Sequence, residues 1–354
     1  MKYKFNWAEE YCGSNKWLED RTILLTVHGS HAYGLNTPTS DLDVKGIAIP
    51  TLDYYTGFLK KFEQDTGFKS DVCVYDIKKF FQLATDCNPN IIELLYTDEE
   101  FILKKTPEGQ QLIDNRDLFL SKKAKFTFSG YAISQLKRIK THKKWLLHPP
   151  DHKPTREEFG LMETSLLSAD IVGAIDSMIG WKANDPEEKE FDEDRVEGVK
   201  ARFGANVMTM YRKERAYHNA MMNFHQYENW KNNRNPARAE LEAKYGYDCK
   251  HAMHLVRLLR MCREILEGKG VIVIRSKDRD ELLAIRNGAW NYDFLLEWAD
   301  SMDKEMDSLY ETSKLQKEPN RKALDKLCSY MIRSKDLEDR DVETVKVIWN
   351  TDMR

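Results

Sequence analysis

Residues 23–49, ILLTVHGSHAYGLNTPTSDLDVKGIAI, constrain this 354-residue chain more than any other stretch. The apolar run 23–27 has the length of one buried strand. It stops at His28-Gly29-Ser30, where a residue without Cβ lets backbone amides approach a ligand closely. A turn rich in Asn, Pro, Thr and Ser (36–40) returns the chain as a second strand, Asp41-Leu42-Asp43-Val44 and then Gly46-Ile47-Ala48-Ile49. Strand side chains alternate between faces, so Asp41 and Asp43 are expected together on one face and Leu42 and Val44 on the other. Two carboxylates on one open strand face can bridge a pair of divalent cations. Such hard oxygen ligands suit Mg²⁺, which keeps several waters and completes its shell with substrate phosphates.

Beside a Gly-Ser turn, that pair suits phosphate chemistry. Backbone N–H groups and the Ser30 hydroxyl would hold the β- and γ-phosphates of a nucleotide, and two metals would clamp the α-phosphate. The competing reading is a surface hairpin with a capped turn and two solvated aspartates.

The run Gly29-Ser30-His31-Ala32-Tyr33-Gly34, followed by Ser40-Asp41-Leu42-Asp43, resembles the DNA polymerase beta nucleotidyltransferase superfamily. With NPNIIELLY (88–96) and YGYDCKHAMHLVRLL (245–259), the chain is similar to its predicted RNA-repair subfamily of bacteria and phages, over most of residues 20–300. The resemblance implies nucleotidyl transfer from an NTP with two Mg²⁺, Mn²⁺ being able to replace them. Gly29, Ser30 and Ser40 would face the nucleotide, and an RNA 3′ hydroxyl is the leading acceptor. Tyr33 stands where minimal nucleotidyltransferases carry Arg, so no phosphate contact of that Arg is carried over.

A third carboxylate is sought on a neighbouring strand, and the β-branched run 70–76 offers Asp71 and Asp76. Their odd separation puts them on opposite faces. With Val72 and Val74 turned toward the covering helices, Asp71 joins Asp41 and Asp43 as catalytic residue and metal ligand. Asp76 is then the cap of a helix starting near Ile77. Asn88-Pro89 opens another helix, in which Glu93 has either a site role or a buried partner.

Composition bounds the rest. Charged residues make up 32% and aromatics 11%, which fits a globular chain. A net charge of −3 gives no global nucleic-acid footprint, so any RNA contact needs a local basic patch. The six scattered cysteines read as reduced thiols of a cytoplasmic protein, and no signal peptide or membrane-length apolar run is expected. Residues 1–20 suggest a short helix packed on the first strand, and 107–147 two helices. On the second of these, Lys137, Lys140 and Lys144 share a face. They form either a solvated helix end or a cradle for the acceptor backbone or the triphosphate. The Pro-rich break at 148–154 marks a domain boundary.

Beyond it, helices are expected over 158–181, 205–229, 280–285 and 292–310, an acidic solvated run over 183–198 and a short strand at 271–274. A long helix over 245–266 carries an apolar stripe bordered by Lys250, His254 and Arg257. Three such groups on one arc need an anion between them, a carboxylate or a phosphate, and in the nucleotidyltransferase reading they are expected to face phosphate. A zinc site from Cys249, His251 and His254 fails because ligands at those spacings on one helix do not converge, so no structural zinc is expected.

The fold expected is α/β (α+β): a nucleotidyltransferase-type mixed sheet with flanking helices over 1–120, a connecting basic helix and Pro-rich break over 121–150, a helical domain over 151–312, and a charged tail or docking strand over 313–354. Two rival functions remain. One is adenylylation of a protein or small-molecule hydroxyl; the other is a catalytically inactive nucleotide- or RNA-binding protein.

Overall fold

The structure, a computed structural model, describes residues 3–180 and 192–351, with 237 and 338–351 described by backbone alone. Its centre is a mixed five-stranded sheet in the order β3-β4-β2-β1-β5. The strands are β1 (Thr22–His28), β2 (Asp43–Ala48), β3 (Gln64–Asp65), β4 (Val72–Asp76) and β5 (Ile102–Lys105). Strand β2 pairs antiparallel with β1 and parallel with β4. Every residue of β1 is buried, because it has a strand on each side and cover on each face; hence its largely apolar sequence, in which Thr22, Thr26 and His28 are the buried polar residues.

The two faces of the sheet enter different cores. Leu25, Val44, Ala48, Val72 and Val74 pack with Trp7 and Leu18. These last two lie in two short helices, Trp7–Glu10 and Leu18–Arg21, where one was expected. Ile47 and Tyr75 pack on the other side, against a larger core that includes the Ile77–Thr85 and Cys249–Leu266 helices. Strand alternation therefore separates Val72 and Val74 from Tyr75 as expected. Asp76 caps the Ile77–Thr85 helix, accepting from the backbone N–H groups of Lys78 (2.9 Å) and Lys79 (3.2 Å).

The chain forms two compact units. One comprises residues 1–140 with 245–354, and the other residues 141–244. The region expected as a single helical domain over 151–312 is thus divided between them. In the second unit, the Ala169–Ile179, Glu193–Phe203 and Ala205–Asn232 helices enclose Ile175, Val199, Met208 and Tyr211. The Ala169–Ile179 helix is shorter than the expected 158–181 because Ser168 caps it. The acidic run lies outside the described residues up to 191, and 193–198 is helical.

Two further expectations are corrected. Residues 271–274 alternate in burial but belong to no strand, since no neighbouring strand pairs with them. The tail is neither a strand nor unpatterned: Arg321–Thr351 is a helix whose Leu324, Cys328 and Met331 join the larger core at helical spacing. The side chains of the apolar group 345–349 lie outside the described residues.

Candidate active site

At the end of β1 the chain enters the Gly29–Ala32 turn with Gly29 at φ +64°. A Cβ there would run into the Asp43 carboxylate, because His28 and Asp43 are register partners across β1 and β2. Glycine is needed at 29 for both its backbone conformation and that close approach. The parallel pairing of β2 with β4 then sets Asp71 beside Asp43. Val44 faces Val72, and the Val44 N–H donates to the Asp71 carbonyl at 2.9 Å.

Asp43 is half-buried and Asp71 exposed. Burial, then the charge of Asp71 and a hydrogen bond with it, push the Asp43 carboxyl up to about 6, while Lys45 and Lys250 act in the opposite direction. Two carboxylates held together against their mutual repulsion make an oxygen-rich pair that a divalent cation would relieve. These donors fit Mg²⁺ or Mn²⁺. Asp41 is placed differently from expectation: β2 begins at Asp43, so Asp41 lies in the irregular, exposed lead-in instead of on the strand face. The turn accounts for this. The Thr37 N–H donates to Ser40 Oγ (2.9 Å), and Ser40 O lies 3.3 Å from His31 Nε2, so the chain is still completing its bend at residue 40. The Ser40 hydroxyl therefore serves the turn, while Ser30 stays half-buried beside Gly29.

Below the acidic pair lies a buried ionic cluster. Glu93 opens a 3₁₀ turn and is fully buried. Its Oε1 accepts from Arg257 Nη1 (2.7 Å) and its Oε2 from the Tyr33 hydroxyl (2.6 Å). The Arg257 guanidinium stacks 3.8 Å from the centre of the Tyr33 ring. Burial alone would raise the Glu93 carboxyl, but the Arg257 charge and the hydrogen bonds from Tyr33 and Arg257 hold it below its ordinary value. His28 Nε2 approaches Glu93 Oε2 to 3.5 Å without forming a hydrogen bond. Its pKa is pushed down to about 3 by burial first and by Lys45 next, so the ring is neutral near pH 7.

The expected cationic arc is thus split. Arg257 takes Glu93 as its anion, and Tyr33 faces the interior, whereas Lys250 is close enough to influence Asp43. His254 is half-buried between them on the helix. Cys249 donates to the Tyr247 carbonyl (3.6 Å), and Asp248 caps the helix through the His251 N–H (3.0 Å). Lys137, Lys140 and Lys144 are all exposed on the Lys123–Leu147 helix. A cavity of about 710 Å³ lies elsewhere, between Tyr96, Arg116 and residues 268–274, and neither Asp43 nor Asp71 lines it.

Lys45 was not singled out in the sequence, though the parity that pairs Asp41 with Asp43 extends to it. It follows Asp43 by two residues on β2, and its Nζ donates to the Asn90 carbonyl (3.1 Å). Burial lowers its pKa, while Glu93, Asp43, Cys73 and Asp71 oppose that shift. Lys45 thus lies within electrostatic range of both the acidic pair and the buried Glu93.

Comparison with known proteins agrees with this geometry. Residues 8–149 match the family described as RNA repair pathway DNA polymerase beta family. An uncharacterized 38.9 kDa protein from the nrdC-mobD intergenic region of Enterobacteria phage T4 is 34% identical over 127 residues, covering 32% of this chain and 38% of that relative. No solved structure matches. Among the described residues, no helix is long and apolar enough to cross a membrane. The matched segment, residues 8–149, contains the Gly29 turn and the Asp43–Asp71 pair, and it is over this segment that the chain is similar to the RNA repair pathway DNA polymerase beta family.

Proposed function

We propose that this protein transfers a nucleoside monophosphate from an NTP to an acceptor hydroxyl, the 3′ end of an RNA being the leading acceptor, with release of pyrophosphate. The observation that carries the reading is the pair of carboxylates, Asp43 and Asp71, pressed together against a glycine turn inside the family segment. Asp41, Asp43 and Asp71 would hold two divalent cations, which when bound supply charge neutralisation at the α-phosphate and at the leaving pyrophosphate. Gly29 and Ser30 would present backbone N–H groups and a hydroxyl to the β- and γ-phosphates, and Lys250 and Lys45 would add positive charge beside Asp43. The acceptor oxygen attacks the α-phosphorus, the bond from that phosphorus to the α–β bridging oxygen breaks, and the hydroxyl proton passes to the Asp43–Asp71 pair. Lys137, Lys140 and Lys144 are assigned to the acceptor backbone. His254 has the weaker claim of a phosphate neighbour.

The test is incubation of purified protein with each labelled NTP, Mg²⁺ and an RNA pool. Label in RNA that is lost with EDTA supports the proposal. Label in protein instead moves the acceptor to a side-chain hydroxyl, and label in neither, with NTP still bound, would leave a binding protein.

A further inference from the structure

The buried cluster below the acidic pair joins parts of the chain that are far apart in sequence. Tyr33 ends the Gly29–Ala32 turn, Glu93 opens the Glu93–Tyr96 3₁₀ turn, and Arg257 belongs to the Cys249–Leu266 helix, two turns beyond Lys250. Glu93 engages both of the others, through Oε1 to Arg257 (2.7 Å) and Oε2 to the Tyr33 hydroxyl (2.6 Å), and the guanidinium covers the Tyr33 ring at 3.8 Å. All three are within 5% of complete burial. The region after that helix also grips the turn by its backbone. The Arg275 N–H donates to Tyr33 O (3.0 Å), Arg279 Nε to Gly34 O (2.8 Å) and Arg286 Nη1 to Leu35 O (3.2 Å).

We infer that Glu93, Arg257 and Tyr33 are positioning residues that fix the glycine turn and the Lys250-bearing helix in one register over Asp43. The inference rests on the nucleotidyl-transfer reading for its catalytic consequence, but its geometric part stands alone. A buried ionic contact that also carries a guanidinium stack has one good geometry, unlike an apolar contact that can slide. Two residues of opposite charge could be exchanged together for neutral ones of similar shape at far less cost to folding than removal of either alone, and a Gln at 93 still offers an oxygen to the Tyr33 hydroxyl. A purely structural role would therefore survive that exchange, whereas a positioning role would not. The Tyr33 hydroxyl and the stacked guanidinium hold the turn by a side chain while the three arginines hold it by its carbonyls, and the two sets of contacts together restrict the backbone that follows Gly29.

The test compares the double variant Glu93→Gln/Arg257→Met with Tyr33→Phe, which loses one hydroxyl and keeps its ring. As a control, Val74→Ala weakens the opposite sheet core. Amide exchange over residues 29–35 is read by mass spectrometry, and Mn²⁺ affinity, kcat and KM for the NTP are measured alongside. The expected result for the double variant is exchange faster by about tenfold in that turn. Its kcat should fall by about 10–100-fold, with Mn²⁺ affinity and KM changed only a few-fold. Tyr33→Phe should move both readouts in the same direction by less, and Val74→Ala should move neither. Wild-type protection of the turn in both Glu93→Gln/Arg257→Met and Tyr33→Phe overturns the clamp, whether or not the protein transfers nucleotides. Faster exchange with unchanged kcat overturns the catalytic consequence. A wild-type protein that transfers nothing refutes the functional reading instead, and exchange alone then decides the clamp. Should the double variant fail to fold, exchange and kcat in Tyr33→Phe decide both points.

Discussion

Two acidic centres that both act on Lys45 have opposite electrostatic character. Asp43 is half-buried, yet its carboxyl is pushed up to about 6, because burial is compounded by Asp71 beside it. Glu93 is fully buried, yet held below its ordinary value, because Arg257 and Tyr33 both donate to it. The more buried carboxylate is the better satisfied one. Glu93 therefore reads as internal architecture, complete within the chain, and the Asp43–Asp71 pair as a centre that needs a cation from outside.

That contrast is broken most severely at the acidic pair. Asp43→Asn is expected to cut nucleotidyl transfer by about 10²–10³-fold. Its metal-free melting temperature should be no lower than wild type, since one of two repelling charges has gone. Transfer within a few-fold of wild type would take the reaction away from Asp43. Asp71→Asn should behave alike. Asp76→Ala should instead lose about 1 kcal/mol of stability with its helix cap and keep most activity. The opposite ranking of Asp71 and Asp76 would relocate the third carboxylate.

At the satisfied centre the expected order reverses, with stability responding first. Arg257→Ala strands a buried carboxylate and should cost about 3–5 kcal/mol, read by denaturant unfolding. A cost under 1 kcal/mol would mean that Glu93 is solvated and the contrast between the centres is false.

A smaller effect sharpens the same point through pH. His28 has a folded pKa of about 3 against an ordinary 6.5. A lowered imidazole pKa means that the unfolded chain binds the proton first. The stability from a neutral His28 is therefore whole above pH 6.5 and is lost as pH falls toward 3. Between pH 6.5 and 4.5, where Glu93 is still ionised, the wild-type melting temperature should drop more steeply than that of His28→Leu. Parallel curves would remove His28 from the buried cluster.

The smallest expected change lies away from both centres. Replacing Lys137, Lys140 and Lys144 by Ala should reduce the log–log salt slope of RNA binding by about one unit per lost phosphate contact, while NTP affinity stays constant. An unchanged slope would return this helix face to solvent, and a changed NTP affinity would assign it to the triphosphate.

Much of the acidic centre was legible because strand parity is local. The apolar run into Gly29, the return strand and the odd spacing of Asp71 and Asp76 suffice to put Asp71 by Asp43 and to make Asp76 a cap. Lys45 obeys the same rule and could have been read from it. Asp41 could not, because where the turn ends and β2 begins depends on the bend made by Thr37 and Ser40. The Glu93 centre is hidden for another reason. Helical periodicity groups Arg257 with Lys250 and His254, but only tertiary packing reveals that an anion from residue 93 meets it first. Residues 271–274 and the tail show both sides of this limit. A β-branched run makes no strand without a partner, and helical spacing at Leu324, Cys328 and Met331 is obscured by the charge around it.

On the proposed reading, Asp43 and Asp71 together form a divalent-cation site. Mn²⁺ titration followed by electron paramagnetic resonance, with and without NTP, tests it without any knowledge of the acceptor. Mn²⁺ binding is expected to strengthen with NTP, to be competed by Mg²⁺, and to be lost in both Asp43→Asn and Asp71→Asn but kept in Asp76→Ala. Mn²⁺ bound with wild-type affinity by Asp43→Asn and Asp71→Asn would contradict it.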